Sequence, residues 1–593
     1  MLPAAWLAIF IAVYAYCRSF LSFNYPFVEQ FSFFRFSKEY AFSTLGQPGG
    51  LATYIADFLT QFYYYPEIGP LISAVLAVLL TVLMDLNLKK LSPRYYFPFL
   101  SAIPALACLW IETDFNYYLS GTVSLILGLV TFGIYQKSMR YLSFYTRIFL
   151  LILLSWPLDF LLGPNALLTI ALCVIVELKK SQPRSLVSFL AVPVAVACPI
   201  VLYYAEIGKD LRFQLLPDGY YVEILSTPLH CYYPWIAVGL NVVLAKILTV
   251  FPLSSDLGKK SLLGRLTNNV LVVGLQLVGV VTLMHWGVHQ YHSATNYEAK
   301  VFDYYCRTGE WTKLLQDKHL RASKNFMHTC YQNLALSSLN LMGDKLFAYP
   351  QLGFPGIILK WNKTVNSSIL LSDIYWQAGD VAIAQEMAFE GMIASRNGIT
   401  PRLLMRLVQT NLVTGNYAVA EKYITLLSDT YTYSAEAEKY RKMLYNDQAV
   451  FNDAELGARK RAMNNAPGLT HAENIVEDLK YIMENNPTYI PAFHYYGCIC
   501  LLIKDIPSFI QFIDKFKDAS ALTHMPIHFQ EALILAFEQE SERWADLGVT
   551  PQVKARYEQY RTIFLKHRGS PVLEHKMASL FGDTYWYYFM FKK

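Results

Sequence analysis

The stretch PLISAVLAVLLTVLMDLNLKK, residues 70–90, runs from Pro70 to Met84 without a charge and closes on Asp85 and Lys89-Lys90. A helix crossing the hydrocarbon core of a bilayer needs about 20 apolar residues, and 70–87 is read as such a span. Eight further stretches have the same character, at about 3–22, 96–111, 119–135, 146–162, 165–178, 186–204, 235–252 and 269–286. The sixth of the nine follows Gly163-Pro164 so closely that it is expected to form a tight hairpin with the fifth. The first lacks a basic start and an A-x-A-like site, and reads as a span rather than a cleaved signal.

This pattern divides the 593 residues in two. Only 16% of the chain is charged, against about 25% in ordinary soluble proteins, and the deficit lies in the first half. The expected fold class is all-α: a polytopic bundle of about nine spans over 1–286, then an α-helical solenoid over 287–593. The net charge of +5 is dispersed, and no nucleic-acid partner is implied. The nine cysteines show no CxxC pair and no metal-ligand spacing. Cys306 and Cys330 are left open as either free thiols or a disulfide.

The loops between spans alternate in charge. Lys89, Lys90 and Arg94; Lys137, Arg140 and Arg147; Lys179, Lys180 and Arg184; and Lys259, Lys260 and Arg265 fall on one side. The other side has only Arg18, Arg35, Lys38, Lys209 and Arg212. Twelve against five follows the positive-inside rule. It puts the N-terminus in the cytoplasm and the C-terminal half outside, periplasmic if the membrane is a bacterial inner membrane.

The long first outer loop, 23–69, contains LATYIADFLTQFYYY (51–65). Leu51, Tyr54, Ile55, Phe58, Leu59 and Phe62 share one helical face and Thr53, Asp57, Thr60 and Gln61 the other. An interfacial helix on the membrane surface is expected, with Tyr63-Tyr64-Tyr65 at headgroup level. Carboxylates are sparse in this half, and acidic groups near the hydrocarbon boundary are unfavourable unless solvated or used. Glu29 follows span one, Glu112 and Asp114 follow span three, Asp159 ends span five, and Asp57 lies on the interfacial helix. They read either as one outer cavity or as separate solvated helix ends. Lys209 and Arg212, in the loop with Asp218, Tyr220, Tyr221 and His230, offer donors to a phosphate.

By layout, residues 1–120 resemble the GT-C class of polytopic glycosyltransferases, which use lipid-phosphate-linked sugars. That class has an acidic residue after span one, interfacial helices in the first outer loop, and a D-x-D or E-x-D-like motif after span three. Glu29, the helix at 51–65 and Glu112-x-Asp114 occupy those places. The resemblance implies Glu29, or Asp114, as catalytic base, and Arg212 with Lys209 as phosphate-binding groups. Glu112 and Asp114 become an optional site for Mg or Mn, and a polyprenyl-phosphate sugar the donor. The chain also looks like a Bacteroidetes family of polytopic inner-membrane proteins, through PGGLATYIADFLTQFYYYPEIG and GDTYWYYFMF, which implies a bacterial source and no activity.

In the second half, IYWQAGDVAIAQEMAFEGM (374–392) aligns with TNLVTGNYAVAEKYITLL (410–427) at a spacing of 36 residues. Gly379 matches Gly415, Ala382 matches Ala418, and Ala384 matches Ala420, a pattern similar to tetratricopeptide (TPR) repeats. A first unit is expected at Gly309-Glu310-Trp311 and another over 474–514, with Asn486-Pro487 between helices. Such stacks bind a protein or peptide in their groove, and TYWYYFMFKK is too aromatic to stand free in water. A GT-C-like core joined to such an array resembles the transmembrane-and-TPR O-mannosyltransferases. The expected function is sugar transfer from a membrane lipid to an extracytoplasmic acceptor held by the repeats. The rival is a non-enzymatic membrane-anchored scaffold for envelope assembly or secretion. A transporter is disfavoured, because spans lined with charge are missing.

Overall fold

The computed structural model describes residues 2–92, 98–178, 183–205, 210–250, 270–395, 398–463 and 475–592. Among them the chain is all-α, with no strand and a single isolated antiparallel bridge, between Tyr117 and Tyr221. It divides into two compact units, Met1–Tyr297 with Asp429–Thr432, and Glu298–Ser428 with Tyr433–Lys593. The boundary therefore falls beyond the expected residue 286, past the end of the helix Val270–Tyr291.

Each of the nine apolar stretches contains a helix, from Leu2–Phe20 to Val270–Tyr291. By length and composition alone, three among the described residues reach what a membrane crossing requires: Ile68–Leu91, Phe144–Leu162 and Ser185–Tyr204. Trp6–Phe20, Leu100–Ile111 and Asn165–Glu177 are apolar but shorter. Ile68–Leu91 is the hub of the first unit, packing against Leu2–Phe20, Pro98–Ile111 and Ser120–Ser138. Small residues on it (Ser73, Ala74, Ala77 and Thr81) are buried and allow the close approach typical of packed apolar helices. Polar side chains stitch the bundle where backbone groups need partners. Asn87 Nδ2 donates to Leu129 O at 2.9 Å. Arg147 makes a two-pronged pair with Glu177, through Nε at 2.8 Å and Nη2 at 2.9 Å.

The segment expected to lie on the membrane surface is packed differently. It forms the helix Gly50–Thr60 followed by a tighter turn, Gln61–Tyr64. Its buried stripe is Ala52, Ala56 and Thr60, small residues four apart, set against the helices Ser120–Ser138 and Phe144–Leu162. Thr60 and Gln61, assigned to the polar face, are buried, and Tyr63, placed at headgroup level, is only 3% exposed. Small side chains permit this close backbone approach, and the larger apolar face, with Phe58 36% exposed, stays on the outside of the bundle. The start of the helix shows how close the approach is. Gly49 (φ 71°) meets Gly163 (φ 64°) of the hairpin turn, and a Cβ added to either would lie 3.2–3.3 Å from the other's Cα. Left-handed backbone at both positions suits glycine alone.

The second unit is built of antiparallel helix pairs. Val365–Ala378 with Val381–Ile393, and Pro401–Thr414 with Tyr417–Ser428, contain the two aligned segments 374–392 and 410–427. Gly379 (φ 95°) and Gly415 (φ 78°) end the first helix of each pair, as left-handed caps do. Ile475–Asn485, Ile490–Leu502 and Ile506–Phe516 continue the array, with Asn486-Pro487 in the expected turn. Arg402 bridges Asp303 and Asp373, Arg406 also pairs with Asp373, and Arg406 and Arg459 both lie over the Trp376 ring. Cys306 and Cys330 are free and buried, which closes the question the sequence left open.

The aromatic C-terminus is docked within its own unit. Trp586 is fully buried and its Nε1 donates to Glu531 O at 2.9 Å, while the Tyr585 N–H donates to Glu531 Oε2 at 2.7 Å. His528 Nε2 accepts the Phe347 N–H at 3.2 Å and its Nδ1 lies 2.9 Å from Glu531 Oε2. A ring nitrogen that accepts an amide carries no proton. The Nδ1–H tautomer is therefore set by these two bonds.

Candidate functional site

Four segments converge at one end of the first unit: the helix Asn24–Glu29 with the loop after it, the turn 112–118, the hairpin turn 159–165, and the segment 210–232. Each junction is held by identifiable bonds. Asn24 Nδ2 lies 3.5 and 3.4 Å from the carbonyls of Glu112 and Thr113, and Phe27 packs edge-on to Phe115 with ring centres 5.1 Å apart. Tyr118 N–H donates to Tyr220 O at 2.9 Å and Val222 N–H to Asn116 O at 3.1 Å. Tyr220 OH lies 2.7 Å from Leu162 O and accepts the Asn165 N–H at 3.1 Å. Gly49 N–H reaches Asp159 O at 2.9 Å.

Within this cap the acidic residues face different surroundings. Glu112 points into the bundle, where Ser73 Oγ donates to it at 2.8 Å and Thr122 Oγ1 lies 3.4 Å away. Burial pushes its carboxyl up to about 7, against the opposing effect of those two hydroxyls. A carboxyl balanced near neutrality can either accept or donate a proton. Asp114, two residues on, is half-buried and turns the other way. Its Oδ1 accepts from Asn116 N and Nδ2 at 3.0 and 2.9 Å, and its Oδ2 from Tyr221 OH at 2.7 Å. Glu29 is 1% exposed, on the helix that Asn24 ties to the turn. Asp57 accepts from Tyr40 OH at 2.7 Å and Ser32 Oγ at 3.3 Å, which holds the first loop folded. Asp159, 4% exposed, has Cys198 Sγ at 3.8 Å.

On the phosphate side, Arg212 is mostly exposed and pairs with the fully buried Asp218, which also accepts from Tyr232 OH. Lys209 lies outside the described residues. Asp114 and Asp218 of the cap, and Asp57 on the helix Gly50–Thr60, thus each accept a tyrosine hydroxyl. The sequence reading gave candidate roles to Asp57 and Asp114, named Asp218 and Tyr221 only for their place in the loop, and did not name Tyr40 or Tyr232. The only signal was the pairing of tyrosines in DGYYVEI (218–224) and HCYYPW (230–235), and Tyr40 had none.

His230 was noted in its loop but given no role. Its ring is tilted by 30° to that of Tyr291, ring centres 4.6 Å apart, and its Nε2 has no hydrogen-bond partner among the described residues. Burial lowers its proton affinity, opposed by the charge of Asp114. The imidazole is therefore neutral near pH 7, with a nitrogen available beside a carboxylate.

The donor set does not fit a divalent cation. Glu112 and Asp114 are dressed by separate hydroxyl and amide donors, and the described residues contain no group of three His, Cys, Asp or Glu able to hold a metal. Beneath the turn, Tyr117, Asn165, Tyr220, Cys231 and Trp235 help line a cavity of only about 10 Å³, room for about one water.

No curated protein and no solved structure matches the chain. A family model described as a family of unknown function (DUF6057) matches residues 1–592, and the chain belongs to that family.

Proposed function

We propose that the chain is a nine-span integral membrane transferase, with its N-terminus in the cytoplasm and the four-segment cap and helical repeats on the outer, periplasmic face. It moves a sugar from a lipid-linked phosphate to an acceptor hydroxyl presented by the repeats. The observation that carries this reading is the juxtaposition of Asp114, Tyr221 and His230 in the cap, with the exposed guanidinium of Arg212 on the segment that also supplies Tyr221. Asp114 takes the acceptor proton as the acceptor oxygen attacks the anomeric carbon. The bond from that carbon to the phosphate oxygen breaks, and its electron pair leaves with the phosphate, whose charge Arg212 balances. Glu29, closed off within the cap, supports the fold there and is not assigned as the base.

The test compares extracytoplasmic glycoproteins and surface glycans by mass spectrometry in the parent, a deletion, Asp114→Asn and Arg212→Met, with membrane levels matched. Loss of a general base lowers a rate by about 10²–10⁴-fold, so Asp114→Asn is expected to lose the same glycan as the deletion. A parental glycan profile in both variants, with envelope proteins disturbed only in the deletion, supports the second reading: a membrane-anchored scaffold. That reading is favoured by the internal pairing of Asp57, Asp114 and Asp218 with tyrosines, which engages each carboxylate in a bond within the fold.

A further inference from the structure

Two carboxyl groups meet inside the helical repeats. Asp380 precedes the helix Val381–Ile393 and caps it, its Oδ1 accepting the Ile383 N–H at 3.1 Å. Its other oxygen is buried, and the residue is 4% exposed. Asp478, in the first turn of Ile475–Asn485, is 6% exposed, and the two carboxyls lie close enough to act on one another, with Asp380 Oδ2 receiving no donor from any other group among the described residues. The junction has little slack. A Cβ on Gly379 would lie 2.8 Å from the Tyr489 ring and 3.4 Å from Ile482, and Tyr489 OH donates to Gln377 O at 2.8 Å.

Two buried carboxylates in contact cannot both ionise, and one must keep a proton to donate to the other. The groups that act most strongly on Asp380 are acids, and the cation at this junction, Arg459, is taken up by Trp376 O and Gln377 Oε1 at 3.2 and 3.1 Å. Asp478 comes from Ile475–Asn485, Glu386 from the helix that Asp380 caps, and Tyr375 from Val365–Ala378. We propose that a single proton shared by Asp380 and Asp478 is the clasp that joins the turn at Gly379 to the helix Ile475–Asn485, and that its loss releases this contact. Gln377 and Tyr489, on the two sides of the clasp, also line a polar cavity of about 330 Å³ with Asn340, Arg459 and Thr488. Opening the clasp widens that cavity, so its shape changes with pH.

The sign follows from linkage. Burial first, then the charge of Asp478, push the Asp380 carboxyl from an ordinary 3.8 up to about 8. A raised acid stabilises the closed state fully below about pH 4 and progressively less as pH rises, until the contribution is gone above about pH 8. One linked proton changes the opening equilibrium by up to about tenfold per pH unit in that window.

Hydrogen–deuterium exchange on the full chain in detergent micelles, corrected for intrinsic rates, tests this between pH 5.5 and 9. Wild-type protection of 381–393 and 475–485 is expected to fall with pH until about 8 and then level off. Asp380→Asn keeps the cap and supplies a permanent N–H to Asp478, and is expected to hold protection flat. Asp478→Asn, with the donor on the other side, serves as the second variant and is expected to do the same. Parallel loss in the wild type and both variants overturns the proposal. So does loss of protection in both variants already at pH 5.5, where an amide replaces the proton like for like.

Discussion

Glu177→Gln is expected to destabilise the first unit by about 3–5 kcal/mol, the effect of leaving a buried charge without its partner. Arg147 is 7% exposed and Glu177 2% exposed. The guanidinium reaches both carboxylate oxygens, donates its remaining Nη1 to Leu142 O at 2.6 Å, and Tyr135 OH adds a bond to Glu177 Oε1 at 3.0 Å. Glutamine keeps the size and one acceptor but removes the charge, so Arg147 stays desolvated and unpaired. Glu177→Leu combined with Arg147→Met removes both charges and is expected to recover most of the loss, since a well-packed apolar pair replaces a buried ion pair at little net change. Thermal melting of the full chain in detergent measures both variants and their coupling. If Glu177→Gln melts with the wild type, the pair contributes nothing to stability.

Trp586→Ala is expected to weaken the second unit by a similar amount, about 3–5 kcal/mol, the range for truncating a fully buried tryptophan. Its ring packs against Tyr557 and Tyr560, with centres 5.1 and 5.5 Å away, and the truncation also leaves Glu531 O without its indole donor. The last helix, Tyr585–Phe591, is capped by Thr584, whose hydroxyl accepts the Tyr587 N–H at 3.2 Å. Losing Trp586 therefore undocks a whole helix rather than leaving one cavity. Limited proteolysis of the full chain during a thermal ramp, read by cleavage after 567, reports it. Trp586→Phe keeps most of the ring and is expected to lie between the two. Cleavage at wild-type temperatures in the alanine variant sinks the prediction.

Glu112 and Asp114 illustrate how far the sequence carries. Their place just after an apolar helix was legible from the run that ends at Ile111. Their opposite fates were not. Glu112 is drawn inward by Ser73 and Thr122, while Asp114 is held by a tyrosine 107 residues away. Likewise Asn24 finds its carbonyl partners 88 and 89 residues on. No local period encodes such pairs, so Tyr221 and His230 carried no signal beyond the aromatic richness of their loop.

The sequence by itself determined the helices, their turns and the two-part division. Apolar runs and glycine caps act through contacts within a few residues, and the 36-residue repeat through the packing of neighbouring units, so each is legible along the chain. Tertiary structure alone decided which face of Gly50–Thr60 is buried, because the choice depends on the glycine of a distant hairpin and not on hydrophobicity. It also decided which carboxyls keep a proton. Proton affinity is set by burial and by the charges that folding brings alongside, and Asp380 meets Asp478 only once the repeats have stacked.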